Sequence, residues 1–197
     1  MVVLDVNVFL DVAELVGEPF SWERFDEVQS SIQPHQRGAQ SFRVIAGLRT
    51  GQRPDGRRVE LWTSDHIDRL VALKAYHPRD ADDERDRGLG WSRDGAQSLI
   101  DVLIADLVQW TGGGTVGDVA ISYGTPPLSH EDGCVYATAR DAGHADVYAE
   151  RYCLTRDNHF LHARLPGLID VQHPRDWMVD NDAMARAAAL RKMLNGS

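Results

Sequence analysis

The sequence predicts an α/β fold in three layers, with a mostly parallel central sheet and helices on both faces. Three observations carry the fold class. Short runs rich in β-branched residues alternate with helix-periodic segments along the whole chain. The first of these runs is almost continuously apolar, as in strands covered on both sides. Ser64 follows the second run at once and is a good N-cap, so that strand feeds a helix directly.

In order, residues 2–10 read as a buried strand with Asp5 and Asn7 set into it. Residues 10–16 carry a first helix, broken by Gly17 and Pro19. Residues 20–28 are short helical or irregular, and residues 30–39 form a loop. Residues 41–48 are a second helix with Ser41 as its N-cap. The loop at 51–58 holds Arg53, Arg57 and Arg58. It reads as a solvated turn, with a basic lip for phosphates as the lesser alternative. Residues 59–63 are the second strand. In the helix that follows, Ile67, Leu70 and Val71 repeat at helical spacing. Asp65 and Asp68 share a face of its first turn, where acids also suit the helix dipole.

Residues 77–87 are an acidic, solvated loop, and residues 92–110 a long helix with Asp101 and Asp106 on its wet side, stopped by Gly112-Gly113-Gly114. Residues 116–122 are the third strand candidate. Residues 129–143 form a helix with a small, apolar face at Cys134, Val135, Ala137 and Thr138 and with Asp132 in its first turn. Residues 151–160 are a strand running into Asp157, and residues 168–171 a last short strand. A helical turn at 174–178 and a separate closing helix at 184–194 end the chain.

At 197 residues one domain is expected, spanning 1–197. No apolar run has bilayer-spanning length and no export signal opens the chain, so a cytoplasmic protein without a membrane partner is expected. Cys134 and Cys153 lie in neither a CxxC nor a Cys/His ligand spacing, so they read as reduced core residues and zinc is not expected. Asp plus Glu outnumber Lys plus Arg by 30 to 21, a formal charge of −9. That argues against broad, charge-driven nucleic-acid binding. It leaves room for a nucleic-acid enzyme whose carboxylates reach phosphate through a divalent metal.

The chemistry starts from Asp5. An acid inside an apolar run is costly unless it is paired or coordinates a metal. It is a strand-end hydrogen-bonder or a ligand. In parallel sheets the site lies beyond the carboxyl ends of the strands. Asp5 and Asp157 fall at such ends, and Asp132 and Asp65/Asp68 in first turns of helices that follow strands. Carboxylates gathered there cannot all stay ionised without positive charge. Oxygen ligands point to Mg²⁺ or Mn²⁺, and such a site favours phosphoryl chemistry. Asn7 and Thr155, with Ser64 and Asn158, are candidates for placing water or phosphate, or simple hydrogen-bonders at strand ends and caps. Arg156 joins Arg53, Arg57 and Arg58 as a candidate nucleic-acid contact.

Four motifs in order resemble the PIN-domain family, the fold of the VapC-type toxin ribonucleases of bacterial toxin–antitoxin pairs. They are Leu4-Asp5-Val6-Asn7; Glu131-Asp132-Gly133 opening an Ala-rich helix; Thr155-Arg156-Asp157-Asn158-His159-Phe160; and a last strand followed by Pro174 to Trp177. The resemblance spans essentially the whole chain. It implies a metal-dependent endoribonuclease with catalytic Asp5, Asp68, Asp132 and Asp157. Of these, Asp5, Asp132 and Asp157 would hold Mg²⁺ or Mn²⁺. It also implies an RNA substrate, an antitoxin partner and often a homodimer. A PIN-fold nuclease of RNA processing or DNA repair, and a catalytically weak PIN-like binding module, are the alternatives. The sequence departs from the family at three places. Asp68, with Asp65 as alternate, stands where the family usually has Glu. His159 stands where a further acid often lies. The region of about 17–58 is enlarged.

Overall fold

The computed structural model describes residues 1–83, 87–120, 127–143 and 150–195. Five strands form one parallel sheet: β1 (Val2–Leu4), β2 (Leu61–Ser64), β3 (Gly114–Val116), β4 (Arg151–Leu154) and β5 (Ile169–Gln172). Their order is β3-β2-β1-β4-β5. The chain therefore winds outward from β1 to β3, then crosses back to β4 on the other side of β1. The order reverses between β1 and β4, which is the switch point where a crevice opens beyond the strands' carboxyl ends.

The opening strand is shorter than expected. β1 ends at Leu4, and α1 (Val6–Val16) begins two residues later. Val6, Phe9, Val12, Ala13 and Val16 of this helix are buried at spacings of three and four. That periodicity over three turns outweighs the β-branched composition of residues 6–10. Asp5 is the residue between strand and helix, in extended conformation.

The region before β2 folds as α2 (Trp22–Ser31) and α3 (Ala39–Leu48). Gly38, not Ser41, caps α3, because its φ of 79° is one that glycine adopts without cost. Ser41 lies inside the helix and donates to Asp11 Oδ2 at 2.6 Å. α3 packs on α1 and on the last helix of the chain, α9 (Pro174–Asn195). Phe25 and Phe42 stack at 4.0 Å between centroids, and Arg49 lies 4.7 Å over the Trp22 ring. The enlarged segment is thus continuous with the apolar core of the sheet.

Ser64 caps α4 (Asp65–Tyr76), accepting from the Ile67 amide. Ser92 likewise caps α5 (Arg93–Ser98). A π-helical stretch, Leu99–Ile104, joins α5 to α6 (Ala105–Thr111). Asp106 is not a purely solvated acid: it accepts from Trp22 Nε1 at 2.8 Å. The third strand begins earlier than expected, at Gly114. Residues 117–120 are irregular, and 121–122 lie outside the described residues. The glycines do more than stop a helix. A Cβ on Gly113 would sit 1.7 Å from the Leu61 carbonyl oxygen, so only glycine lets β3 approach β2 there.

α7 (His130–Asp141) packs against β1, β2 and β4. α8 (Asn158–His162) is a short turn after β4. The two helices expected at the end are one, α9 (Pro174–Asn195), since nothing between 179 and 183 breaks a helix.

Candidate active site

The site is built around the switch point. β1 delivers Asp5 and β4 delivers Thr155, side by side because Leu4 pairs with Leu154 and the Asp5 amide donates to the Leu154 carbonyl at 2.9 Å. Thr155 Oγ1 donates to Asp5 Oδ2 at 2.6 Å and accepts from the Asp157 amide at 2.9 Å. Asn7 Nδ2 donates to the same Asp5 oxygen, while Asn7 Oδ1 accepts from the Arg156 amide at 3.2 Å. Asn7 therefore latches the start of α1 to the loop after β4. Asp157 caps α8, its Oδ1 accepting from the His159 and Phe160 amides. Asn158 is exposed in the first turn of α8.

Asp132 comes from the other direction, at the start of α7. Ser129 Oγ accepts from its amide and donates to its Oδ2 at 2.8 Å, which fixes the carboxylate on the rim.

The electrostatics tie these groups together. Asp5 is only 6% exposed. Burial, above all, pushes its carboxyl up to about 7. The Thr155 hydrogen bond opposes that rise, and the charges of Asp132 and Asp157 add to it. Asp132 is raised too, by burial first and then by Asp157 and Glu131, against its bond to Ser129. Three carboxylates thus act on one another across the switch point.

Asp68 stands apart. Its Oδ1 accepts from Thr63 Oγ1 at 2.6 Å, and the carboxylate that acts on it is Asp65 of its own first turn. Asp65 is exposed. Ser64 is fully buried under α7, accepting a 2.8 Å hydrogen bond from Thr138 Oγ1, so it supports the rim from beneath.

The arginines divide by end of the sheet. Arg156 is at the rim, its guanidinium paired with Asp11, a residue of α1 that is 5% exposed. Sequence reading passed over Asp11, although it lies one helical turn after Asn7 on the same face of α1. Arg53 and Arg57 lie before β2, at the amino ends of the strands and opposite the carboxylates. Arg53 is 7% exposed and bonds Glu150 at 2.8 Å, beneath the Tyr152 and Trp177 rings. Arg57 pairs with Asp55 and Glu150, and Arg58 is exposed beside Gly112.

The donor set at the rim is all oxygen, which suits Mg²⁺ or Mn²⁺. The carboxylate oxygens are not drawn tightly together. Among the described residues, His66, His130 and Cys134 form the one trio of candidate ligand atoms lying within 4.8 Å of one another. Among the described residues no helix is long and apolar enough to cross a membrane. No model of a known protein family matches the chain, and no curated protein matches it.

Proposed function

We propose that the chain is a metal-dependent phosphodiester hydrolase that cuts RNA, with Asp5, Asp132 and Asp157 holding Mg²⁺ or Mn²⁺ at the switch point. The observation that carries this reading is a buried Asp5 carboxyl at the switch point with the Asp132 and Asp157 carboxylates close enough for their charges to act on it. Burial beside two other acids holds the Asp5 carboxyl protonated in the metal-free chain, and a cation at the rim would let it ionise. When bound, such a cation supplies charge neutralisation at phosphate and lowers the pKa of a water to make a nucleophile.

The chain's own residues supply orientation. Thr155 and Asn7 hold Asp5 by one oxygen, so its carboxylate is fixed before substrate arrives. Asp157 is held by two amides, and Asp132 by Ser129. Arg156, next to these acids and half-neutralised by Asp11, is the cation placed to meet a phosphate. The formal charge of −9 disfavours long-range capture of nucleic acid, so the reading calls for short contacts at the rim. A toxin role with an antitoxin partner, and a homodimer, follow from the PIN resemblance and belong to this same proposal.

Incubation of purified protein with single-stranded RNA and Mn²⁺ tests it. Cleavage that needs the metal and disappears in Asp5→Asn supports the reading. Intact RNA together with no divalent-ion stabilisation of the fold overturns it. One observation favours a second reading, a PIN-like binding module. Asp68 is turned to Thr63 and not to the other acids, leaving the rim one carboxylate short. RNA binding and metal binding without cleavage would select that reading.

A further inference from the structure

His66 opens α4, and His130 and Cys134 sit one turn apart on α7. Residues four apart share a helix face. Thr138 continues the same stripe, and its hydroxyl bonds Ser64 at the foot of α4 at 2.8 Å. The stripe 130–134–138 is therefore the seam between α7 and the start of α4. Asp132 lies about 200° around α7 from His130, and Asp68 about 200° around α4 from His66. The histidine and cysteine face is thus distinct from the carboxylate rim on both helices.

In this seam the candidate ligand atoms of His66, His130 and Cys134 lie within 4.8 Å of one another. The two imidazoles meet edge to face, with centroids 5.8 Å apart. His66 Nε2 is shut off from water and has no hydrogen-bond partner. An orphaned ring nitrogen shut off from water is costly unless something binds it. Two imidazoles and a sulfur form a borderline-soft donor set, which selects zinc over magnesium or manganese. Tetrahedral zinc with such ligands has donor–donor edges of about 3.5 Å. The exposed His130 side chain has the freedom to close the difference. Glu131, next to His130 on the exposed rim, or a water completes four-coordination.

We infer that His66, His130 and Cys134 form a second metal site, for a zinc-type cation, that clasps the start of α7 to α4. On binding, the Cys134 thiol gives its proton to solvent and the sulfur bonds the metal as thiolate; no electron is transferred. The clasp fixes the first turn of α7, the turn that also carries Asp132. The inference does not rest on the nuclease reading, because its ligands and metal are different.

Titration of the metal-free full chain with Co²⁺ tests it. One equivalent is expected to give a near-ultraviolet thiolate-to-cobalt band that Zn²⁺ abolishes, and Zn²⁺ is expected to raise the melting temperature. Cys134→Ser is expected to remove the band. His130→Gln, at an exposed position that keeps the helix folded, is expected to weaken affinity at least tenfold. Cys153→Ser and Asp5→Asn are expected to keep the band. Absence of the band in the wild-type chain, its loss with Cys153→Ser, or an unchanged affinity in His130→Gln overturns the inference.

Discussion

Thr155 Oγ1 reaches across the β1–β4 seam to Asp5 Oδ2 at 2.6 Å and accepts the Asp157 amide at 2.9 Å. One hydroxyl thereby sets the position of two of the three rim acids. Thr155→Val keeps the shape and removes both bonds, together with a third that Thr155 Oγ1 accepts from Asn7 Nδ2 at 3.3 Å. A buried acceptor and a part-buried amide then lose a partner, at a cost of about 1–3 kcal/mol. Urea unfolding measures that loss. Mn²⁺ affinity is expected to fall with it, because the Asp5 carboxyl is no longer held and is harder to ionise; calorimetry of the same variant checks this.

Asp5 makes stability depend on pH in a definite direction. Its folded carboxyl titrates at about 7 against an ordinary value of 3.8, so between those values the native state holds a proton that the unfolded chain has released. Stability from this group is full below about 4 and falls as pH rises to about 7. The span bounds the effect at about 4 kcal/mol. Unfolding midpoints measured from pH 5 to pH 7.5 are expected to decline more steeply in the metal-free wild-type chain than in Asp5→Asn. Saturating Mn²⁺ is expected to flatten the wild-type slope, because a bound cation favours the ionised form. Equal slopes in the two proteins would remove Asp5 as the source.

The sheet was legible from the sequence because strand composition and helix caps agree at Trp62-Thr63-Ser64 and at Leu154 to Asp157. Its parallel pairing followed from the alternation of strands and helices. What misled were places where local composition and tertiary placement differ. The β-branched run after Asp5 is helix because its buried positions recur at helical spacing. Gly112 to Gly114 ends a helix and also starts a strand, a double use that a helix-stop signal hides. Strand ends and helix starts predict one rim of Asp5, Asp157, Asp132 and Asp65/Asp68; the charges of Asp132 and Asp157 act on Asp5, whereas Asp68 faces Thr63 and Asp65 instead. The Asp11–Arg156 pair joins residues far apart in the chain, and His66 is likewise distant from His130 and Cys134, whose i, i+4 spacing on one helix is the only local sign of that trio.

Asp68 and Asp132 open helices in similar places, yet their surroundings differ. Asp132 is repelled by Asp157, whereas Asp68 is held by Thr63 and, among the described residues, repelled by Asp65. A group outside the shared field contributes less to holding a shared cation. In the RNA assay, Asp132→Asn is expected to lower the rate at least a hundredfold, about 2.7 kcal/mol of transition-state stabilisation. Asp68→Asn is expected to lower it less than tenfold, and its amide oxygen can still accept from Thr63. A hundredfold loss in Asp68→Asn, with the fold intact by circular dichroism, would place Asp68 among the working acids.

Arg53 and Arg156 separate structure from substrate contact. Arg53 is buried at the amino ends of the strands, bonded to Glu150 and covered by the Tyr152 and Trp177 rings at 5.4 and 4.8 Å. Glu150 is half exposed, so solvent screens the pair. Arg53→Ala still leaves a cavity under two aromatic rings and removes a cation–π contact, for a loss of about 1–3 kcal/mol. Its RNA affinity is expected to match that of the wild-type chain. Arg156→Ala frees a buried Asp11 carboxylate, so it too destabilises. Arg156→Lys keeps the charge, retains most of the stability and loses the planar guanidinium that grips phosphate by two donors. A fall in RNA affinity in Arg156→Lys, measured by fluorescence anisotropy below its melting temperature, assigns the phosphate contact to the rim. The same fall in Arg53→Ala would assign it to the opposite end of the sheet.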